Sequence, residues 1–183
     1  MKKLICFYLL LIINSLSAQI PEGWNIIKES NFLAAFPSIP DSFKEKKKIG
    51  GYDVKTSTWL VAEENMDRQW ARCFCLIYHD YPSEYFQNFR KMDFLDSLKK
   101  TVLADTIFSV TRNIGLKKFP KSGIEFSGYN FIIKNINSKK HIDYFIVRFY
   151  LIGNRLYRLY ASEIDSQPYN ARLFLNSFEV YSE

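Results

Sequence analysis

The stretch Phe145–Ser162, FIVRFYLIGNRLYRLYAS, decides the fold because it contains two strands and the turn that joins them. Apolar and aromatic residues dominate both sides of Gly153-Asn154, a dipeptide typical of a tight hairpin. A two-residue turn there places three cross-strand pairs on one face: Ile152 with Arg155, Tyr150 with Tyr157, and Arg148 with Leu159. The opposite face then carries Phe145, Val147, Phe149, Leu151, Leu156 and Tyr160, together with Arg158.

Strand-like segments precede this hairpin along most of the chain. They are Trp24–Lys28, Phe32–Phe36, Phe43–Ile49, Tyr52–Glu63, Trp70–His79, Phe108–Leu116 and Gly123–Lys134, and the hairpin itself spans Lys139–Ile152 and Arg155–Ser162. Trp70–His79 is apolar on both faces, which is typical of a central strand covered on two sides. The lysine-rich tract Lys44–Lys48 is typical of an exposed edge strand, where lysines discourage the addition of another strand.

Two segments have helical patterns. Apolar residues recur every three or four positions over Glu84–Leu103, with Ser83 as the expected N-cap and a break near Lys91–Asp93. Pro168–Ser177 forms a shorter helix, with Pro168 in its first turn. We therefore predict an α+β protein, a twisted and mainly antiparallel sheet with helices packed on it in three layers.

The amino terminus has the order of a secretory signal peptide. Lys2 and Lys3 precede a short apolar run, and small residues follow it up to Ala18. We predict cleavage after Ala18, which leaves residues 19–183 as a single domain with no transmembrane span. Loss of the two lysines lowers the formal net charge from +6 to +4, and an exported location argues against nucleic acid as a partner.

Cys73 and Cys75 are the cysteines that remain after this cleavage. On a strand they share one face with Cα atoms about 6.6 Å apart, at the upper end of what a disulfide spans. We expect two buried thiols that pack as small apolar groups. The alternative is a strained, redox-active pair, which requires a β-bulge between them.

Five short motifs distributed along the chain resemble secreted bacterial domains of PsbP-like fold. They are Gly23-Trp24, the segment from Phe32 to Pro40, Tyr78-His79-Asp80-Tyr81-Pro82, Gly153-Asn154-Arg155-Leu156-Tyr157 and Phe174-Leu175-Asn176-Ser177-Phe178. The Lys-, Ile-, Asn- and Phe-rich composition resembles that of the Bacteroidota. The resemblance implies an α/β/α sandwich and an accessory or assembly role, and it carries over no ligand or catalytic residue.

Motifs for catalysis, cofactors and phosphate binding are absent from the sequence. It has no Gly-x-Ser-x-Gly elbow, no His-Glu-x-x-His and no glycine-rich phosphate loop, so we predict no cofactor and no enzymatic activity. Cys75 and His79 are too far apart on one strand to share a zinc ion, and His141 with Asp143 offers two metal ligands without a third. A cysteine nucleophile beside His79 would require an exposed position that favours the thiolate.

The candidate interaction surface is the face of the hairpin that carries Arg148, Tyr150, Arg155 and Tyr157, because tyrosine and arginine are enriched at binding hot spots. The structural alternative is that the tyrosine rings are half-buried beneath a helix while the arginines reach water. The surface hypothesis predicts that alanine at Arg155 and Tyr157 abolishes partner capture with little change in melting temperature.

We predict an exported, non-catalytic binding or accessory domain with an envelope or extracellular protein partner. The alternatives are a small periplasmic hydrolase or metal-dependent enzyme, and a carrier of an apolar small ligand.

Overall fold

The computed structural model describes residues 20–65, 70–87, 90–104, 108–119, 122–136, 142–163 and 169–181. The first five strands are β1 (Asn25–Lys28), β2 (Phe32–Phe36), β3 (Asp41–Ile49), β4 (Tyr52–Asn65) and β5 (Trp70–Asp80). A 3-10 turn (Ser83–Phe86) and helix α1 (Lys91–Ala104) follow. The remaining elements are β6 (Phe108–Lys118), β7 (Glu125–Ile136), β8 (Ile142–Ile152), β9 (Arg155–Glu163), α2 (Tyr169–Ser177) and β10 (Glu179–Val180). The α+β class is confirmed.

Seven of these strands form one antiparallel sheet in the order β3-β4-β5-β9-β8-β7-β6. The hairpin register is confirmed, since Tyr150 pairs with Tyr157 and Arg148 with Leu159 across the turn at Gly153-Asn154. Strand β5 lies inside the sheet between β4 and β9, as its two apolar faces predict. Its long-range pairing with β9 brings the first and second halves of the chain into one sheet.

Strand β3 is an edge strand of this sheet, and its residues 41–48 are all exposed. The edge position of the lysine tract is therefore confirmed. Its charges are partly compensated locally, because Nζ of Lys47 lies 2.6 Å from a carboxylate oxygen of Glu45 on the same strand face. Within the described part of the chain, no helix combines the length and the apolar character needed to cross a bilayer.

The prediction of a helix over Glu84–Leu103 is wrong in its first turn, whereas the break predicted near Lys91–Asp93 agrees with an α-helix that starts at Lys91. The 3-10 turn comes first, its N-cap is Pro82 with no side-chain cap bond, and α1 starts only at Lys91. Ser83 is therefore not an N-cap. Tyr85 and Phe86 of the turn both contact Tyr81, with ring centres 4.6 and 5.5 Å away.

The two helices pack on opposite faces of the seven-stranded sheet. On one face, Phe174 of α2 contacts Phe74 of β5 at a ring distance of 5.7 Å. On the other, Leu95 of α1 belongs to a buried cluster with Phe131 and Phe149. Pro168, expected in the first turn of α2, lies outside the described residues.

A second, three-stranded sheet in the order β1-β2-β10 shares the α2 face. Strand β2 is its centre, and Phe32 on this strand is fully buried between the two sheets. Its ring lies 5.1 Å from that of Trp59 on β4, centre to centre. Strands β1 and β2 were predicted from the sequence but not as a separate sheet, and β10 was not predicted.

Candidate functional site

An open cleft of about 390 Å³ lies where β5 ends beside the β8–β9 turn. Asp80, Asn154, Arg155 and Tyr157 line it from the large sheet, while Asn31 and Tyr181 line it from segments flanking the small sheet. We call this feature the Arg155 cleft. Its volume falls within the range of small-ligand sites, and polar groups from separate parts of the chain converge in it.

The charged centre of the Arg155 cleft is an ion pair between Arg155 and Asp80, which face each other in the β5–β9 register. Nε of Arg155 donates to one carboxylate oxygen of Asp80, and Nη2 donates to the other at 2.9 Å. The guanidinium carbon also lies 4.4 Å from the centre of the Tyr78 ring. Two parallel hydrogen bonds and a cation–π contact hold the guanidinium in one orientation.

The phenols of the Arg155 cleft are poor proton donors at neutral pH. Burial raises the pKa of Tyr157 well above its usual value of 10. Burial, reinforced by Tyr85, raises the pKa of Tyr81 to about 12. Both hydroxyls are therefore protonated at pH 7 and can donate hydrogen bonds.

The four residues predicted as an interaction surface do share one face of the hairpin. However, the rings of Tyr150 and Tyr157 are only 6% and 1% exposed, and Tyr150 stacks on Phe178 with ring centres 5.5 Å apart. This is close to the structural alternative, because α2 and the small sheet cover the two rings. Arg155 and Tyr157 line the cleft, while Arg148 and Tyr150 do not.

Arg148 connects the large sheet to the end of helix α2. Its Nε donates to the side-chain oxygen of Asn130, and its Nη1 donates to the carbonyl of Leu175 at 3.0 Å and to the side chain of Asn176 at 2.9 Å. The last carbonyls of a helix lack intrahelical donors and carry partial negative charge, so a guanidinium stabilises them. Arg148 is thus a structural cap. Nothing in the local sequence pattern indicated this role.

Cys73 and Cys75 carry free thiols. The β4–β5 and β5–β9 registers run through both residues without a shift, so the bulge that a redox-active pair requires is not formed there. Burial raises the pKa of Cys75 to about 12. A thiol with this pKa carries very little thiolate at neutral pH, and the buried position disfavours a role as nucleophile.

His79 lies on the opposite face of β5 from the Arg155 cleft and is 7% exposed. Its Nδ1 is 2.9 Å from the hydroxyl of Thr56, while its Nε2 has no hydrogen-bond partner among the described residues. Burial, reinforced by the positive charge of Arg158, lowers the pKa of His79 to about 4. The imidazole is therefore neutral at pH 7 and makes one hydrogen bond.

We expect acid to destabilise the protein through His79. The unfolded state, with a histidine pKa of 6.5, binds more protons than the folded state, so the free energy of unfolding is highest above pH 6.5 and falls as the pH drops towards 4. The contribution lost by pH 4 is about 3 kcal/mol. Urea unfolding at pH 7 and pH 4 measures it, and His79→Gln should remove this part of the decrease.

His141→Gln, which changes the other histidine of the chain, is the matched control. An acid-dependent decrease that persists in His79→Gln but disappears in His141→Gln would contradict the assignment to His79. The charged groups that act on His79 besides Arg158 are Lys47, Glu45 and Asp80.

Among the described residues, no three histidine, cysteine or acidic side chains come together as a metal site. His141 and Asp143, which offer two metal ligands without a third, lie outside the part of the chain whose side chains are described.

Comparison with protein-family models gives no match, and no curated protein is significantly similar in sequence.

Proposed function

We propose that the chain is an exported, non-catalytic binding domain that captures an envelope or extracellular protein at the Arg155 cleft. The observation that supports this most is the bidentate Arg155–Asp80 pair, held against the Tyr78 ring at the centre of an open concave surface. Arginine and tyrosine in such rigid settings are the residue types that dominate the energetics of protein interfaces. Because Asp80 is already bound by Arg155, the cleft presents a preorganised polar surface rather than a free carboxylate.

The proposal includes a PsbP-like arrangement of the domain. The positions of α1 and α2 on opposite faces of the seven-stranded sheet support it, as do the motifs that carry the resemblance. In that fold, an accessory or assembly role is the function that the resemblance implies. The hydrolase alternative has less support, since the phenols of the Arg155 cleft have raised pKa values and its carboxylate is ion-paired.

Site-specific photo-crosslinking tests the proposed partner site. A photoreactive phenylalanine derivative replaces Tyr181, which lines the cleft, in the full chain expressed in a bacterium of the Bacteroidota. The matched control replaces Tyr169, which is 65% exposed on α2. We expect one discrete protein adduct from position 181 and none from position 169, with the recovered chain starting at Gln19.

Equal adducts from both positions, or none from position 181, would contradict partner binding at the cleft. Recovery of cytosolic protein that still carries Met1–Ala18 would contradict export, independently of the crosslinking result.

A further inference from the structure

A second concavity, of about 330 Å³, lies on the opposite face of the large sheet from the Arg155 cleft. It spans two neighbouring rows of cross-strand partners. One row contains Leu60, Cys75, Tyr160 and Val147, and the other contains Cys73, Ser162 and Phe145. Most of these side chains are apolar, and the volume is that of a small-ligand site. We call this feature the Cys73 cavity.

Arg158 occupies the next row on the same face, two residues before Tyr160 on β9. Its guanidinium carbon lies 5.3 Å from the centre of the Tyr160 ring and 5.4 Å from that of Phe149. Tyr160 therefore belongs both to the wall of the Cys73 cavity and to the immediate surroundings of this cation. The guanidinium thus lies next to a wall residue of the cavity, while Arg158 itself is not one of the lining residues.

Arg158 lacks a counter-charge among the described residues, where no carboxylate forms an ion pair with it. Its Nε is buried and has no acceptor in that part of the chain. Nε2 of His79, in the row of cross-strand partners next to that of Arg158, is a second buried nitrogen without a hydrogen-bond partner among the described residues. Arg158 is partly buried and its side chain hydrogen-bonds to Tyr160, but each buried polar group left unsatisfied, such as its Nε, costs about 1–3 kcal/mol. An anion bound beside it supplies the missing acceptor and counter-charge.

We propose that the Cys73 cavity binds an amphipathic carboxylate, such as a medium-chain fatty acid. The carboxylate accepts hydrogen bonds from Arg158, and the alkyl chain lies among Leu60, Phe145 and Val147. Guanidinium binds carboxylate in a fork geometry, and the apolar walls replace water around the chain. Because this site is on the other face of the sheet, the inference is independent of partner binding at the Arg155 cleft.

Calorimetric titration of the protein purified from cells that express the full chain tests this inference. The probes are decanoate, decanol and decyltrimethylammonium, which share one chain length and differ in head-group charge. We expect decanoate to bind at least tenfold more tightly than either of the other two probes. A tenfold ratio corresponds to about 1.4 kcal/mol, and a charge-assisted hydrogen bond contributes more than that. This comparison uses the wild-type protein alone and so does not depend on any variant that fails to fold.

Two variants then locate the site. Arg158→Met should lower decanoate affinity at least tenfold and leave decanol binding unchanged, while Val147→Trp should abolish the binding of both. Arg172→Met, at an exposed arginine on α2, is the matched control and should bind like wild type. Equal affinity for the three probes, no decanoate binding, or full decanoate binding by Arg158→Met would each overturn the proposal.

Discussion

Replacing Gly128 with alanine is expected to destabilise the protein by about 3 kcal/mol or more, because a side chain at this position overlaps the neighbouring strand. Gly128 lies in β7 opposite Tyr150 of β8. A Cβ atom there would be 1.9 Å from the carbonyl oxygen of Phe149 and 3.0 Å from its carbonyl carbon. Both atoms are backbone, so the contact can be relieved only by separating two strands that the fold hydrogen-bonds together.

Urea unfolding of Gly128→Ala beside wild type measures this effect. Gly153→Ala is a matched control, because Gly153 has a φ of +57° and a Cβ atom added to it would meet nothing within 4 Å. The free energy of unfolding of Gly153→Ala should fall by only about 1–2 kcal/mol, which is the cost of a left-handed conformation for alanine. If Gly128→Ala has the same urea midpoint of unfolding as wild type, the backbones of β7 and β8 do not approach each other as closely at Gly128 as the structure shows.

Truncating Tyr157 to alanine is expected to cost about 3–5 kcal/mol, the usual range for a large buried aromatic residue. Its ring is 1% exposed and lies 5.2 Å from Phe178, 6.0 Å from Phe32 and 6.0 Å from Tyr78, measured between ring centres. It therefore joins the two sheets to each other. Alanine removes these contacts and leaves a cavity between the layers.

Tyr157→Phe is the control for the Tyr157 prediction, since it keeps the ring and removes only the hydroxyl, which lies 3.4 Å from Nη1 of Arg155. Its expected cost is about 1 kcal/mol or less. Equal stability of the two variants in equilibrium unfolding would show that the ring is not packed. The expectation that alanine at Arg155 and Tyr157 abolishes partner capture with little change in melting temperature is accordingly revised, because Tyr157 is buried in the core.

The parts of the fold that could be predicted from sequence are those with local signals. The dipeptide Gly153-Asn154 predicted the hairpin register, and the lysines of β3 predicted an edge position. The two-residue strand β10 has no periodicity to detect, and its partner β2 lies far away in the sequence. The late start of α1 accompanies the packing of Tyr81 on the 3-10 turn, and the apolar periodicity over Glu84–Leu103 does not distinguish that turn from an α-helix.

The residues of the candidate site were likewise predicted only where they lie close together in the sequence. Arg155 and Tyr157 were identified from the composition of the hairpin, but Asp80 was not associated with them because the β5–β9 pairing is not local. An acid at the end of one strand and an arginine at the start of another offered a weak signal for that pair. Arg158 stood out in the sequence as the one charge on an apolar face, and in the structure its guanidinium contacts the ring of Tyr160, a wall residue of the Cys73 cavity.

The small sheet also determines when folding can finish. Its central strand pairs with β1 nearby in sequence and with β10 about 150 residues later, so its hydrogen-bond ladder cannot close until the carboxyl-terminal segment is available. During synthesis, the edge of β2 that pairs with β10 stays open, and Phe32 lacks its contact with Phe178, until that last segment is made. The small sheet therefore reaches its native topology only when the carboxyl-terminal segment has been made.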